Sequence, residues 1–247
     1  MIKEAIEKIA SLAAATTFEI NGDTYSDKRL ERIAPHVDKP TTMGFTSLDG
    51  IVQAIKAEIM RTEVTKPIFV SVTLPNCVLV HTTLRNDDLQ RDILYSAAPG
   101  LPDPFTTWNT HENAIIMLRS RFVPNEDVNY LLDLLGRISS EDSVTSEDSG
   151  VSQSVTATVG VALKQSVTIK QRVLLAPFRT FLEVEQPESE FILRIKAGNK
   201  EAGTLPEIGI IEADGGVWKL KAKRNIADYF RQHLAELIKD GSVIVAE

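Results

Sequence analysis

Cysteine is almost missing. Cys77 is the single one in 247 residues, so neither a disulfide framework nor a thiolate zinc site can form within one chain, and a reducing compartment fits. Aromatic residues make up 6% of the chain, too few for a surface built to stack many bases. No apolar run approaches the roughly 18 residues that a membrane span requires. The opening segment, Met1–Phe18, is interrupted by Lys3, Glu4, Glu7 and Lys8, and so lacks the long apolar region of a secretory signal. The four histidines, His36, His81, His111 and His233, form no HxxxH or HExxH pair. GxSxG, GxxxxGK[ST] and GxGxxG are missing too, which removes the α/β-hydrolase elbow and both phosphate-cradling loops. A cytoplasmic chain without metal or cofactor is expected.

What is present is ordinary for a folded domain: 43% hydrophobic and 25% charged residues, with a net charge of −7. An acidic chain is a poor general partner for nucleic acid, since phosphate contacts need clustered Lys and Arg. Ile2, Ala5, Ile6, Ile9 and Ala13 fall on one helical stripe. TFEINGDTYS follows as a hairpin turned at Asn21-Gly22, then RIAPHVDKP, whose two prolines forbid a regular helix. Thr46–Arg61 reads as a helix with Leu48, Ile51, Val52, Ile55 and Ile59 on one side. Ile68–Leu74 and Cys77–His81 alternate as strands around Pro75-Asn76. Cys77, Leu79 and His81 share a face opposite Val78 and Val80, and Arg91–Ala97 completes an antiparallel meander. Asn109–Phe122 opens on a capping-box pattern, with Glu112 three residues after Asn109. Pro124–Ile138 is a second helix, with the stripe Val128, Leu131, Leu132, Leu135 and Ile138.

The stretch SSEDSVTSEDSGVSQSVTATVG, from Ser139 to Gly160, divides in two. Its two SEDS repeats lack the central Gly and closing Glu of a calcium loop and read as an acidic loop over 139–150. From Val151 to Val159 the alternation is period two, with Ser152, Ser154, Thr156 and Thr158 on one face. Such a hydroxyl ladder, with no base beside it, suits contact with a neighbouring strand or another copy of the chain. Val167–Leu175 is a further strand. Phe178–Lys196 reads as a hairpin, on which Glu183 and Glu185 share a strand face and could hold a divalent cation. Ile208–Ala222 reads as a second hairpin turned at Asp214-Gly215-Gly216. On its return strand Lys219, Lys221 and Lys223 form a basic stripe continued by Arg224, a weak nucleic-acid site. A helix over Ile226–Ile238, capped by Asn225 and carrying His233 on its apolar stripe, and the terminal strand SVIVAE close the chain. The expected fold class is α+β: a mixed, mainly antiparallel sheet built from hairpins with amphipathic helices packed on it. Residues 1–138 would form an N-terminal α/β region and 151–247 a β-rich C-terminal region, within one compact domain or two.

Four stretches, FEINGDTYS, DSGVSQSVTATVGVA, PFRTFLEVEQPESEFILRI and EADGGVWKLKA, resemble a group of phage and prophage proteins of Gram-positive bacteria. More distantly, the layout resembles the YfdQ-like prophage family of unknown function. The resemblance implies a viral origin, expression in the bacterial host cytoplasm and an accessory role, and it transfers no catalytic residue. The shared stretches are strands and turns, which suit a binding or assembly surface.

The expectation is therefore a non-enzymatic, self-associating phage accessory protein. It would bind a host or phage macromolecule, inhibiting host defence or supporting phage DNA metabolism, as a homo-oligomer away from membranes. The alternatives are a shell- or coat-like assembly protein, a nucleic-acid binder using Lys219–Arg224, and an enzyme acting through Glu183 and Glu185.

Overall fold

The period-two alternation builds sheets, and the three-to-four spacing builds the helices that cover them. The computed structural model describes residues 2–28, 39–61, 67–85, 89–102, 107–137, 144–148, 153–159, 163–196 and 206–247. The chain divides into Met1–Lys39 and Pro40–Glu247.

The first body holds helix α1 (Ile2–Ala13) and the hairpin β1 (Thr17–Ile20) and β2 (Asp23–Ser26). Asn21 and Gly22 supply the two positive φ angles of the turn, 54° and 88°. Phe18 stands opposite Tyr25 and the rings stack at 6.1 Å. Lys28 Nζ donates to the Leu12 and Ala14 carbonyls at 2.5 and 2.8 Å. It thereby places a cation where the helix leaves its last carbonyls unpaired. Residues 32–38 of the proline-bearing stretch lie outside the described residues.

The second body begins with β3 (Met43–Phe45), α2 (Leu48–Arg61), β4 (Ile68–Leu74), β5 (Cys77–His81) and β6 (Ile93–Ala97). It continues with β7 (Trp108–Thr110), α3 (His111–Arg121), α4 (Glu126–Arg137), β8 (Val144–Asp148), β9 (Gln153–Val159) and β10 (Leu163–Thr168). Last come β11 (Arg172–Leu175), β12 (Ser189–Lys196), β13 (Glu207–Glu212), α5 (Trp218–His233), α6 (Ala235–Lys239) and β14 (Val243–Ala246). The fold class is α+β, mainly antiparallel.

Two cores share this body. In one, the meander β4–β5–β6 is flanked by parallel edge strands, in the order β14-β4-β5-β6-β3. Ile68, Val70, Val72, Val78 and Val80 face Leu48, Ile51, Val52 and Ile55 of α2 and Ile226 and Phe230 of α5, all buried. Gly50 lets α2 approach β3 closely, since a Cβ there would stand 2.7 Å from the Phe45 ring. In the other, the antiparallel sheet β11-β12-β13-β7 buries Phe191, Leu193, Ile195 and Ile210 against Leu118 of α3 and Leu131 of α4. Asn125 caps α4 through the Val128 amide at 2.8 Å. The same side chain donates to the Leu174 carbonyl at 2.9 Å, and Asp127 accepts the Leu174 amide at 2.7 Å. The outer rung of β11 is thus closed by the start of α4.

Several sequence expectations are corrected. Residues 178–188 are a non-repetitive strap, not a strand. Leu182 is 73% exposed while Phe181, of the opposite parity, is fully buried in the α2–α5 core. The amides of Arg179 and Thr180 bond to Gln186 Oε1 in place of a partner strand, and β12 pairs instead with β11 and β13. The Asp214-Gly215-Gly216 turn forms, with both glycines at positive φ, but leads into α5 and not into a strand. Asp214 accepts the Gly216 and Trp218 amides, and Ala222, Ile226, Ala227 and Phe230 give the helix a buried stripe. That helix starts at Trp218. It breaks at Leu234, whose φ and ψ are −116° and 23°. Asn225 does not cap it and donates to the Glu185 carbonyl, and His233 is exposed. Asn109 sits buried in β7, and α3 starts at His111. Part of the second SEDS repeat lies on strand β8 and pairs with β9, so it is not loop.

Candidate functional site

The unusual surface of the first body is α1. Ile2, Ile6, Ile9 and Leu12 occupy one stripe and are 80%, 61%, 66% and 67% exposed. No residue of the helix is buried. Phe18, Ile20 and Tyr25 of the hairpin are exposed as well. An amphipathic helix in a folded protein ordinarily buries such a stripe.

In the second body, the strap carries a polar node between the two cores. Arg179, whose side chain is 13% exposed, ion-pairs with Glu212 at the end of β13 and donates to Ser189 Oγ at the start of β12. It also donates to the Pro187 carbonyl at 3.1 Å and lies 3.8 Å over the Trp218 ring. Ser189 Oγ donates to Asp214 Oδ2 at 2.7 Å. Burial pushes the Asp214 carboxyl up, but hydrogen bonds from Ser189, Gly216 and Trp218, with the charge of Arg179, hold it below the usual carboxylate value. Burial lowers the Arg179 pKa, and Glu212 and Asp214 oppose that. Around the node, Gln186 Nε2 donates to the Phe181 carbonyl at 2.9 Å and the Val184 carbonyl at 3.3 Å. Thr180 Oγ1 donates to the Pro75 carbonyl at 2.5 Å. The arrangement is a joint: it ties one sheet to the first turn of α5 and to the β4–β5 turn of the other. Every polar contact named here is internal, which suits locking more than chemistry.

A second polar group lies on the sheet face opposite α2 and α5. Ser71 Oγ stands 2.7 Å from His81 Nε2, Phe69 stacks on the imidazole at 5.8 Å, and Arg91 lies 4.7 Å over Phe69. Burial lowers the imidazole pKa, the Thr82 backbone opposes that, and Arg91 adds to it. The pair supplies a hydroxyl and a base. Among the described residues no carboxylate orients the ring, and His81 Nδ1 is buried without a partner in hydrogen-bonding geometry. Two members of a nucleophile–base–orienter set are present, and among the described residues no carboxylate supplies the third. Cys77 lies on the same strand face, as its spacing predicts.

The residues singled out in the sequence scatter. Lys219, Lys221, Lys223 and Arg224 lie on α5, so the strand that would have made them one stripe does not exist. On a helix Lys219 and Lys223 are four apart and share a side, and Lys221, two on, turns away from both. Lys221 pairs with Glu185 at 3.0 Å, and Lys219 Nζ sits 6.0 Å over Trp218. Glu183 and Glu185 share no strand face. Glu183 accepts the Leu48 amide at 2.8 Å as the cap of α2, and Glu185 is taken by Lys221. Among the described residues no three metal-ligating side chains cluster, and no helix is long and apolar enough to cross a membrane. Ser154, Thr156 and Thr158 lie at alternate positions of β9, the central strand of β10-β9-β8, and Val151 and Ser152 lie outside the described residues. In register, Thr156 stands between Thr145 and Ser166, and Ser154 between Glu147 and Thr168. With a strand on each side, the backbone of β9 has no open edge for another chain.

Neither the Arg179 node nor the Ser71–His81 pair was found from the sequence. The pair was within reach, because a hairpin turned at Pro75-Asn76 brings Ser71 and His81 to one sheet face. No protein-family model, curated protein or solved structure matches the chain.

Proposed function

We propose that this chain is a self-associating binding protein without catalysis of its own, and that the apolar stripe of α1 is covered by the same stripe of a second copy. The observation that carries the reading is the exposure of Ile2, Ile6, Ile9 and Leu12 together on one helix face. Burying an aliphatic side chain is worth about 1.5–3 kcal/mol, and a symmetric pair of helices buries two sets of four. Association costs about 4–15 kcal/mol in lost freedom, so the gain is of the size needed. A two-fold arrangement uses one patch twice and closes without growing further. The incomplete Ser71–His81 set and the inward-turned Arg179 node support the non-enzymatic part. The phage accessory role, in which the associated protein binds a host or phage macromolecule, rests on the four resembling stretches.

Static light scattering of the full chain tests it. The wild type is expected to be a dimer or larger at micromolar concentration. The Ile6→Glu/Ile9→Glu double variant is expected to be monomeric with an unchanged circular-dichroism spectrum, since both positions are exposed. A monomeric wild type, or a variant that associates as well as the wild type, overturns the proposal. Cages or sheets in electron micrographs would instead favour the shell-like alternative.

A further inference from the structure

The break between α5 and α6 opens a crevice of about 400 Å³ against α2, within the size range of small-molecule sites. Its apolar lining is Ile59, Leu234 and Leu237; Leu234 is buried in the core and the other two are half-buried against it. The polar side chains of the lining are Lys56, Gln232, His233 and Glu236. All four are exposed. His233 is oriented from inside: its Nδ1 donates to the Tyr229 carbonyl at 2.9 Å and its ring stacks on Tyr229 at 4.1 Å. That leaves Nε2 as its free nitrogen. Lys56 and Glu236 line one crevice, yet neither side chain has an ion-pair or hydrogen-bond partner among the described residues, including each other. A cation and an anion that have no side-chain partner among the described residues, over an apolar floor, complement a ligand carrying both charges and an apolar group.

We propose that this crevice binds a small zwitterion with an apolar side chain, of which a free aliphatic α-amino acid is the simplest case. Lys56 and His233 Nε2 take the carboxylate, Glu236 takes the ammonium, and the side chain lies on Ile59 and Leu237. The site is in the second body, and the proposal does not rest on association through α1.

L-leucine is the probe, titrated into the ¹⁵N-labelled full chain and followed by amide shifts of residues 56–59 and 232–237. N-acetyl-leucine, which lacks the ammonium, and leucinamide, which lacks the carboxylate, are each expected to bind about tenfold more weakly, the loss of one charged contact. Glu236→Gln is expected to weaken leucine about tenfold and leave N-acetyl-leucine unchanged, and Lys56→Met to weaken leucine similarly and leave leucinamide unchanged. No shift of these amides at millimolar leucine overturns the proposal, as does equal binding of leucine and its two analogues. The analogue comparison needs no substitution, so it stands whether or not the variants fold.

Discussion

The guanidinium of Arg179 lies over the indole of Trp218, at 3.8 Å, and joins a residue of the strap to the first residue of α5. Glu212 and Ser189 hold the same guanidinium from the ends of two strands. Replacing it leaves Glu212 and Asp214 without their cation inside a half-buried node. Arg179→Met is therefore expected to cost about 2–4 kcal/mol in urea unfolding. A double-mutant cycle with Trp218→Leu should give a coupling of about 0.5–2 kcal/mol. Additive losses would mean that the stacking contributes nothing.

Stability should fall on the acid side in two windows. The Asp214 carboxyl is held below its ordinary value of 3.8. A depressed carboxylate contributes stability that is fully present above the unfolded value and is lost as pH falls through the folded one. The His81 imidazole is held below 6.5. Its folded form resists protonation, so its contribution is present above 6.5 and declines as pH falls from there towards the folded value. Thermal unfolding as a function of pH should show both declines. Asp214→Asn should remove the lower one and His81→Gln the upper one.

Gly209 is the seat of the Trp108 ring. A Cβ at that position would stand 2.7 Å from one ring carbon and 2.8 Å from the next. Gly209→Ala is expected to cost about 1–3 kcal/mol by overpacking. Trp108→Leu in the same chain should recover part of that loss, because it removes the obstructing ring.

Gln186 replaces a partner strand for the strap. Its amide oxygen takes the backbone amides of Arg179 and Thr180, and its nitrogen serves two carbonyls. Gln186→Leu keeps the volume and strands those backbone groups, at about 1–3 kcal/mol for each that stays buried. Amide exchange at Arg179 and Thr180 should rise well beyond that of β4. Unchanged protection would show that the strap holds its shape without the side chain.

Much of the fold was legible where a periodicity ran uninterrupted. The α2 stripe from Leu48 to Ile55, the alternation of β4 and β5, and the Asn21-Gly22 turn all stand where the spacing puts them. The strap was misread because Phe178, Thr180, Leu182 and Val184 alternate as a strand does. Whether such a stretch pairs depends on Gln186 and on Phe181, and period two does not register either. The start of α5 was hidden for a related reason. Lys219, Lys221 and Lys223 imitate a strand face, while the helical stripe begins only at Ala222, and Asp214, which accepts the Trp218 amide, belongs to the preceding turn. The node itself was invisible because Arg179, Ser189, Glu212, Asp214 and Trp218 come from five separate segments: the strap, β12, β13, the turn after β13 and α5. Their meeting is a property of the packed sheets and not of any local pattern.

The double use of Asn125 and Asp127 bears on what happens before the chain is fully packed. Once α4 is seated, the amide and carbonyl of Leu174 are both occupied, and a passing extended segment finds no free rung on β11 at that point. A nascent chain whose α4 forms late would offer that rung to its neighbours. Substitutions at Asn125, which reopen that rung, are therefore expected to appear first as lower recovery on refolding, before they appear as lower equilibrium stability.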